Sequence, residues 1–128
     1  MDFPNQIMKF INELDVPLKM KLGYLDSDES FVLYPLPGGQ IIDEFMDGTT
    51  DQQLNYEIAM QSKIQSRIHK TLWEVQNELE TLNELNSTDG SFDFHRLTIT
   101  NKPFINQIDD QGWFVFLLDF QVELTIYT

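Results

Sequence analysis

Side chains able to bind a metal, move a proton or attack a carbonyl are the first thing to look for, and this chain offers mainly carboxylates. It holds 21 acidic and 8 basic side chains, two histidines and no cysteine. Asp43, Glu44, Asp47 and Asp51 cluster around one turn. Paired carboxylates do general acid–base work when burial raises the pKa of one of them. Turn residues are rarely buried, so the cluster reads as an acidic loop and not as an active site. The run Asp26-Ser27-Asp28-Glu29-Ser30-Phe31 begins like a calcium loop but places Phe31 where the sharp turn requires glycine. It reads as a solvated turn. His69 falls off the apolar stripe of its helix, and His95 sits where a strand changes phase. There is no His-Glu-x-x-His pair and no Gly-x-Ser-x-Gly elbow, and Pro37-Gly38-Gly39 lacks the Gly-Lys-Ser/Thr of a phosphate loop. The expectation is a protein that is not an enzyme, with no catalytic residue, no cofactor and no metal.

The formal net charge of −13 opposes binding to phosphate backbones, which Lys and Arg drive by releasing counterions. It equally opposes docking on anionic membranes. Two readings of the acidity stay open: solubility, or a surface that mimics or repels nucleic acid. The longest apolar run, Trp113–Leu118, is too short to span a bilayer. Met1-Asp2-Phe3-Pro4 shows no basic n-region, so no secretory signal is expected. Asn86-Ser87-Thr88 reads as a polar turn ending a helix. A length of 128 residues with 41% hydrophobic content suits one core, and residues 1–128 are read as a single domain.

The elements follow from periodicity. Phe3, Ile7, Phe10, Ile11 and Leu14 recur at steps of three and four behind Pro4, a helix over 3–14. Leu18 to Tyr24 alternates as a half-buried strand. Phe31–Leu36 and Gln40–Met46 read as two more strands, separated by Pro37-Gly38-Gly39. Asp47-Gly48 is a hairpin signal. After it, Leu54, Tyr56, Ile58 and Met60 alternate cleanly with polar neighbours. Ser62 and Gln65 have the spacing of a capping box, and a long amphipathic helix over 62–85 follows. The strand Phe92–Thr100 changes phase near His95 and Arg96, which predicts a bulge. In the last strand the even positions Phe114 to Ile126 are all apolar. Trp113, Val115 and Leu117 are apolar on the opposite side. Strands grouped apart from helices, in the order α-β-β-β-β-α-β-β, predict an α+β domain: a mostly antiparallel sheet with both helices on one face.

Two patterns bear on partners. Lys63, Arg67 and Lys70 occupy the first half of the long helix, and Glu74, Glu78, Glu80 and Glu84 the second, against the helix macrodipole. This is either a solvated face or a basic end that meets the acidic end of a neighbouring subunit. Head-to-tail contacts of that kind close into rings. A small domain with two helices has difficulty covering both sides of its last strand, so Trp113, Val115 and Leu117 are expected to need a partner. The candidate oligomer interface is therefore Trp113, Val115, Leu117, Lys63, Arg67, Lys70, Glu74 and Glu78. The candidate acidic loop facing a channel is Asp43, Glu44, Asp47 and Asp51.

Two stretches carry a resemblance. One runs from Asp47-Gly48-Thr49-Thr50-Asp51 through Leu54-Asn55-Tyr56-Glu57-Ile58 and Ser62-Lys63-Ile64-Gln65 into the long helix. The other is the final hairpin: Phe92–Thr100, Pro103–Asp110 and Gly112–Thr125. In this order they resemble the minor capsid or tail-completion (tail-terminator) proteins of long-tailed phages of Gram-positive bacteria. The resemblance implies a tail-terminator fold assembled as a homo-oligomeric ring, usually sixfold. Such a ring caps the tail tube, halts its polymerisation and faces the head connector or stopper protein. It implies a place in the virion tail or neck after assembly in the host cytoplasm, with no cofactor and no catalytic residues. Two alternatives share the same sequence features: an acidic DNA mimic that inhibits a host nucleic-acid-binding protein, and a neck or connector protein of the same virion.

Overall fold

The computed structural model describes residues 2–127. Its elements are α1 (Phe3–Asn12), β1 (Lys21–Leu22), β2 (Ser30–Glu44), β3 (Thr50–Ser62), α2 (Gln65–Glu80), β4 (Phe92–Ile108) and β5 (Phe114–Ile126). The strands form one sheet in the order β1-β2-β3-β5-β4. All pairs are antiparallel except the short β1–β2 pair. The architecture is the α+β arrangement that the residue pattern predicts.

One face of the sheet carries the core. Tyr56, Ile58 and Met60 of β3 and Phe116, Leu118, Phe120, Val122 and Leu124 of β5 share a buried cluster with Phe31 and Leu33 of β2. Phe3, Ile7 and Ile11 of α1 and Ile68, Leu72, Val75 and Leu79 of α2 enter the same cluster. Both helices therefore pack on the even-numbered face of β3 and β5. The Phe3 ring lies 5.3 Å from Tyr56 and 5.7 Å from Phe92, which fixes α1 to the sheet.

Several boundaries differ from the sequence reading for local reasons. The segments 31–36 and 40–46 are halves of one strand, β2. Pro37-Gly38-Gly39 does not end the strand; it produces a register shift between Leu36 and Gln40. Gly38 takes φ +98°, a conformation that a residue with a Cβ adopts only under strain. The predicted strand 18–24 is paired only at Lys21 and Leu22. The backbone of Met20 is taken up instead by the Asn12 side chain, which accepts from Met20 N at 2.7 Å and donates to Met20 O at 3.2 Å. The Ser62–Gln65 capping box does not form. Ser62 ends β3 fully buried, and its hydroxyl donates to Glu29 Oε2 at 2.8 Å, so α2 starts without a side-chain cap. At the other end α2 stops at Glu80, where the Thr81 hydroxyl donates to Glu78 O, and Leu82 and Leu85 reach the core from a non-helical segment. The bulge near His95 and Arg96 is present, as a register shift between Phe94 and Arg96. β4 runs on past Thr100 through further shifts, and its Pro103 is tolerated because β4 is an edge strand.

Candidate assembly surfaces

The β2–β3 hairpin places Asp43 and Glu44 on its exposed end and Asp47 in its turn. Asp47 Oδ1 accepts from the Thr49 backbone at 3.0 Å, and this bond holds its carboxyl below the usual range. Asp51 is half-buried and accepts from Thr125 Oγ1 at 2.6 Å. Asp47 is thus bound to backbone and Asp51 to a hydroxyl, while Asp43 and Glu44 are exposed, so the four do not form a buried carboxylate site. They are interleaved with exposed apolar side chains: Ile41, Ile42, Phe45 and Met46 all lie open at this end, and Tyr127 lies beside them.

The loop that begins like a calcium site spends its acids internally. Asp26 Oδ1 accepts from Asp28 N and Ser30 Oγ, both at 2.8 Å, and Asp28 Oδ1 accepts from Glu29 N. Among the described residues no group of three or more His, Asp or Glu side chains is placed to hold a metal ion. His69 is exposed with its ring 4.9 Å from Phe116, and His95 Nε2 lies 2.5 Å from Thr125 Oγ1.

The charges of α2 are segregated in space as they are in sequence: no acid stands in its first turn and no base in its last. Arg67 is engaged within its own chain, 2.8 Å from Glu29. Lys63 stands 5.0 Å over the Trp113 ring. Lys70 and Glu74 line an open groove of about 450 Å³ with Asp15, Pro17 and Ile64. Glu78 faces solvent. The odd-numbered side of β5 is partly covered by the chain itself. Val115 is 6% exposed, so it needs no partner to be buried, contrary to the expectation from alternation. The loop before β2 reaches the β2–β3 part of this face: Tyr24 packs on Tyr34, and Gln61, the register partner of Val115, donates to the carbonyls of Asp26 and Asp28. Trp113 and Leu117 remain half-buried, with Leu117 opposite the exposed Phe104.

The same face holds a carboxyl pair that alternation alone does not reveal. Glu57 of β3 and Asp119 of β5 are register partners and are only 9% and 8% exposed. Burial, then the hydrogen bond and charge of Asp119, push the Glu57 carboxyl up to about 7. Tyr34 donates to Glu57 Oε1. In sequence both acids look like ordinary members of a polar face; only the β3–β5 register brings them together. Among the described residues their hydrogen-bond partners are the Tyr34 hydroxyl and the Asn101 amide.

Comparison with known families places these surfaces in a context. A family described as "Bacteriophage tail terminator protein" matches residues 7–126. A comparison with curated protein sequences gave no match.

Proposed function

This chain belongs to the bacteriophage tail terminator family, and from that membership we propose that its copies close into a ring that caps the tail tube and stops its growth. Members of the family are structural parts of phage tail assembly, components of the virion tail that meet other tail or head proteins. The ring, its usual sixfold symmetry, and the tail-tube and head-connector proteins as its neighbours are our reading. The observation that carries it is the family match across nearly the whole chain.

Surface features support a head-to-tail ring. Exposed Ile41, Ile42, Phe45 and Met46 lie at one end of the sheet, and Phe104, Ile105 and Ile108 near the other, where β4 turns into β5. Apolar surface at both ends suits contacts with components above and below the ring. Trp113, Leu117, Lys63, Lys70, Glu74 and Glu78 are the subunit-contact residues in this reading. Arg67 acts through its own Glu29. Asp43, Glu44, Asp47 and Asp51 gather at one rim, where repulsion keeps passing DNA from adhering. Phage deprived of this protein should make tails of uncontrolled length or tails that never join heads. Normal tails joined to heads in its absence would reject the proposal.

A further inference from the structure

We infer that Glu57 and Asp119 share one proton at the centre of a hydrogen-bonded row that clamps four strands together across the face opposite the helices. The registers put Tyr34 of β2, Glu57 of β3, Asp119 of β5 and Asn101 of β4 at one level of the sheet. Tyr34 donates its hydroxyl to Glu57 Oε1 at one end, and Asn101 Nδ2 donates to Asp119 Oδ2 at 2.8 Å at the other. The middle link is what the proton supplies. Asp119 Oδ1 is buried without a hydrogen-bond partner among the described residues, although it stands beside the Glu57 carboxyl. A buried carboxylate oxygen left unpaired is costly, and two neighbouring carboxylates out of water cannot both stay ionised. A neutral Glu57 solves both problems, because its O–H donates to Asp119 Oδ1 while its other oxygen accepts from Tyr34.

The groups facing the pair are consistent with this. β2 presents the Tyr34 hydroxyl, whose ring packs at a tilt against Tyr24 of the preceding loop; β4 presents the Asn101 amide. One level further on, Gln121 of β5 donates to Asn55 of β3 at 3.1 Å and takes no part. No Lys, Arg or His contributes to the shift of Glu57. The clamp is therefore a proton-dependent device. When base removes the proton, two like charges are left side by side on neighbouring strands, with no cation among the described residues shifting Glu57 to offset them.

The sign follows from the raised Glu57 value. Stability from the shared proton is fully present below the ordinary carboxyl range and is lost as pH rises through about 7. Unfolding of the full chain by urea across this range tests the inference. For the wild type the folding equilibrium constant should fall roughly fifty- to a hundredfold between pH 5 and 8. Glu57→Gln, which keeps an acceptor for Tyr34 and a donor for Asp119, should flatten this dependence and match the wild type in acid. Infrared difference spectra of the wild type should show a protonated-carboxyl band at mildly acid pH that vanishes in alkali and is missing in Glu57→Gln. An unchanged pH slope in Glu57→Gln, or no such band in the wild type, overturns the shared proton.

Discussion

Asp2 is heavily hydrogen-bonded. Its carboxylate accepts from Ser87 Oγ at 2.7 Å, Thr88 N at 3.0 Å, Thr88 Oγ1 at 2.8 Å and Ser91 Oγ at 3.2 Å, tying the start of α1 to the loop before β4. Burial opposes ionisation, but these donors together outweigh it and hold the carboxyl well below its ordinary range. The stability it contributes is present above the unfolded carboxyl value and is lost as pH falls through the lower folded one. Asp2→Asn should therefore lower the melting temperature by several degrees at neutral pH, and the gap to wild type should shrink in strong acid. Equal melting temperatures at neutral pH would show that the clasp contributes nothing. Asn86-Ser87-Thr88 is legible in sequence as a polar turn, yet the carboxylate that its hydroxyls serve lies at the far end of the chain. Glu57 and Asp119 are hidden for the same reason. Alternation tells which side of a strand a residue faces, but not which residue stands beside it on the next strand.

Elements were legible where one periodicity ran unbroken. The stripe Ile68, Leu72, Val75 and Leu79 of α2 is fully buried, as its spacing requires. Leu72→Ala should cost about 2–5 kcal/mol in unfolding free energy, by lost transfer and the cavity left behind. Where two signals competed, the sequence misled. Proline and glycine at 37–39 mark a strand end by propensity, but hydrogen bonding on both sides carries β2 through as a kinked strand. Gly38 is needed there for its backbone angle, and a Cβ would also meet Asn55 Nδ2 at 3.1 Å. Gly38→Ala should destabilise the fold by about 1 kcal/mol or more, measured by chemical denaturation. A neutral effect would mean that β2 tolerates a straight path. The capping box failed because tertiary contact claimed Ser62 first: its hydroxyl serves Glu29, which also receives Arg67.

For the molecule as a whole, charge and alternation pointed towards an assembling structural protein, and the family match places it in phage tails. With a net charge of −13 the free protein should not retard duplex DNA in a gel at low salt. Tight, salt-sensitive retardation would contradict an acidic rim that lets DNA pass. Trp113→Ala with Leu117→Ser should weaken assembly, since truncating a tryptophan at an interface often costs ~2 kcal/mol or more. The core-facing side of β5 is untouched by these changes, so the monomer should still melt cooperatively. Full assembly by the double variant would move the subunit contact elsewhere. What sequence could not supply was the covering of the second face, because the Tyr24–Glu29 loop that reaches it is irregular and leaves no periodic signal. The most direct test of the central claim is seeded growth of tail tubes in vitro, followed by electron microscopy as this protein is added. One closed ring should sit at the growing end of each tube, and elongation should halt abruptly. Tubes that keep lengthening with the protein unbound, or bound along their sides, would contradict that claim.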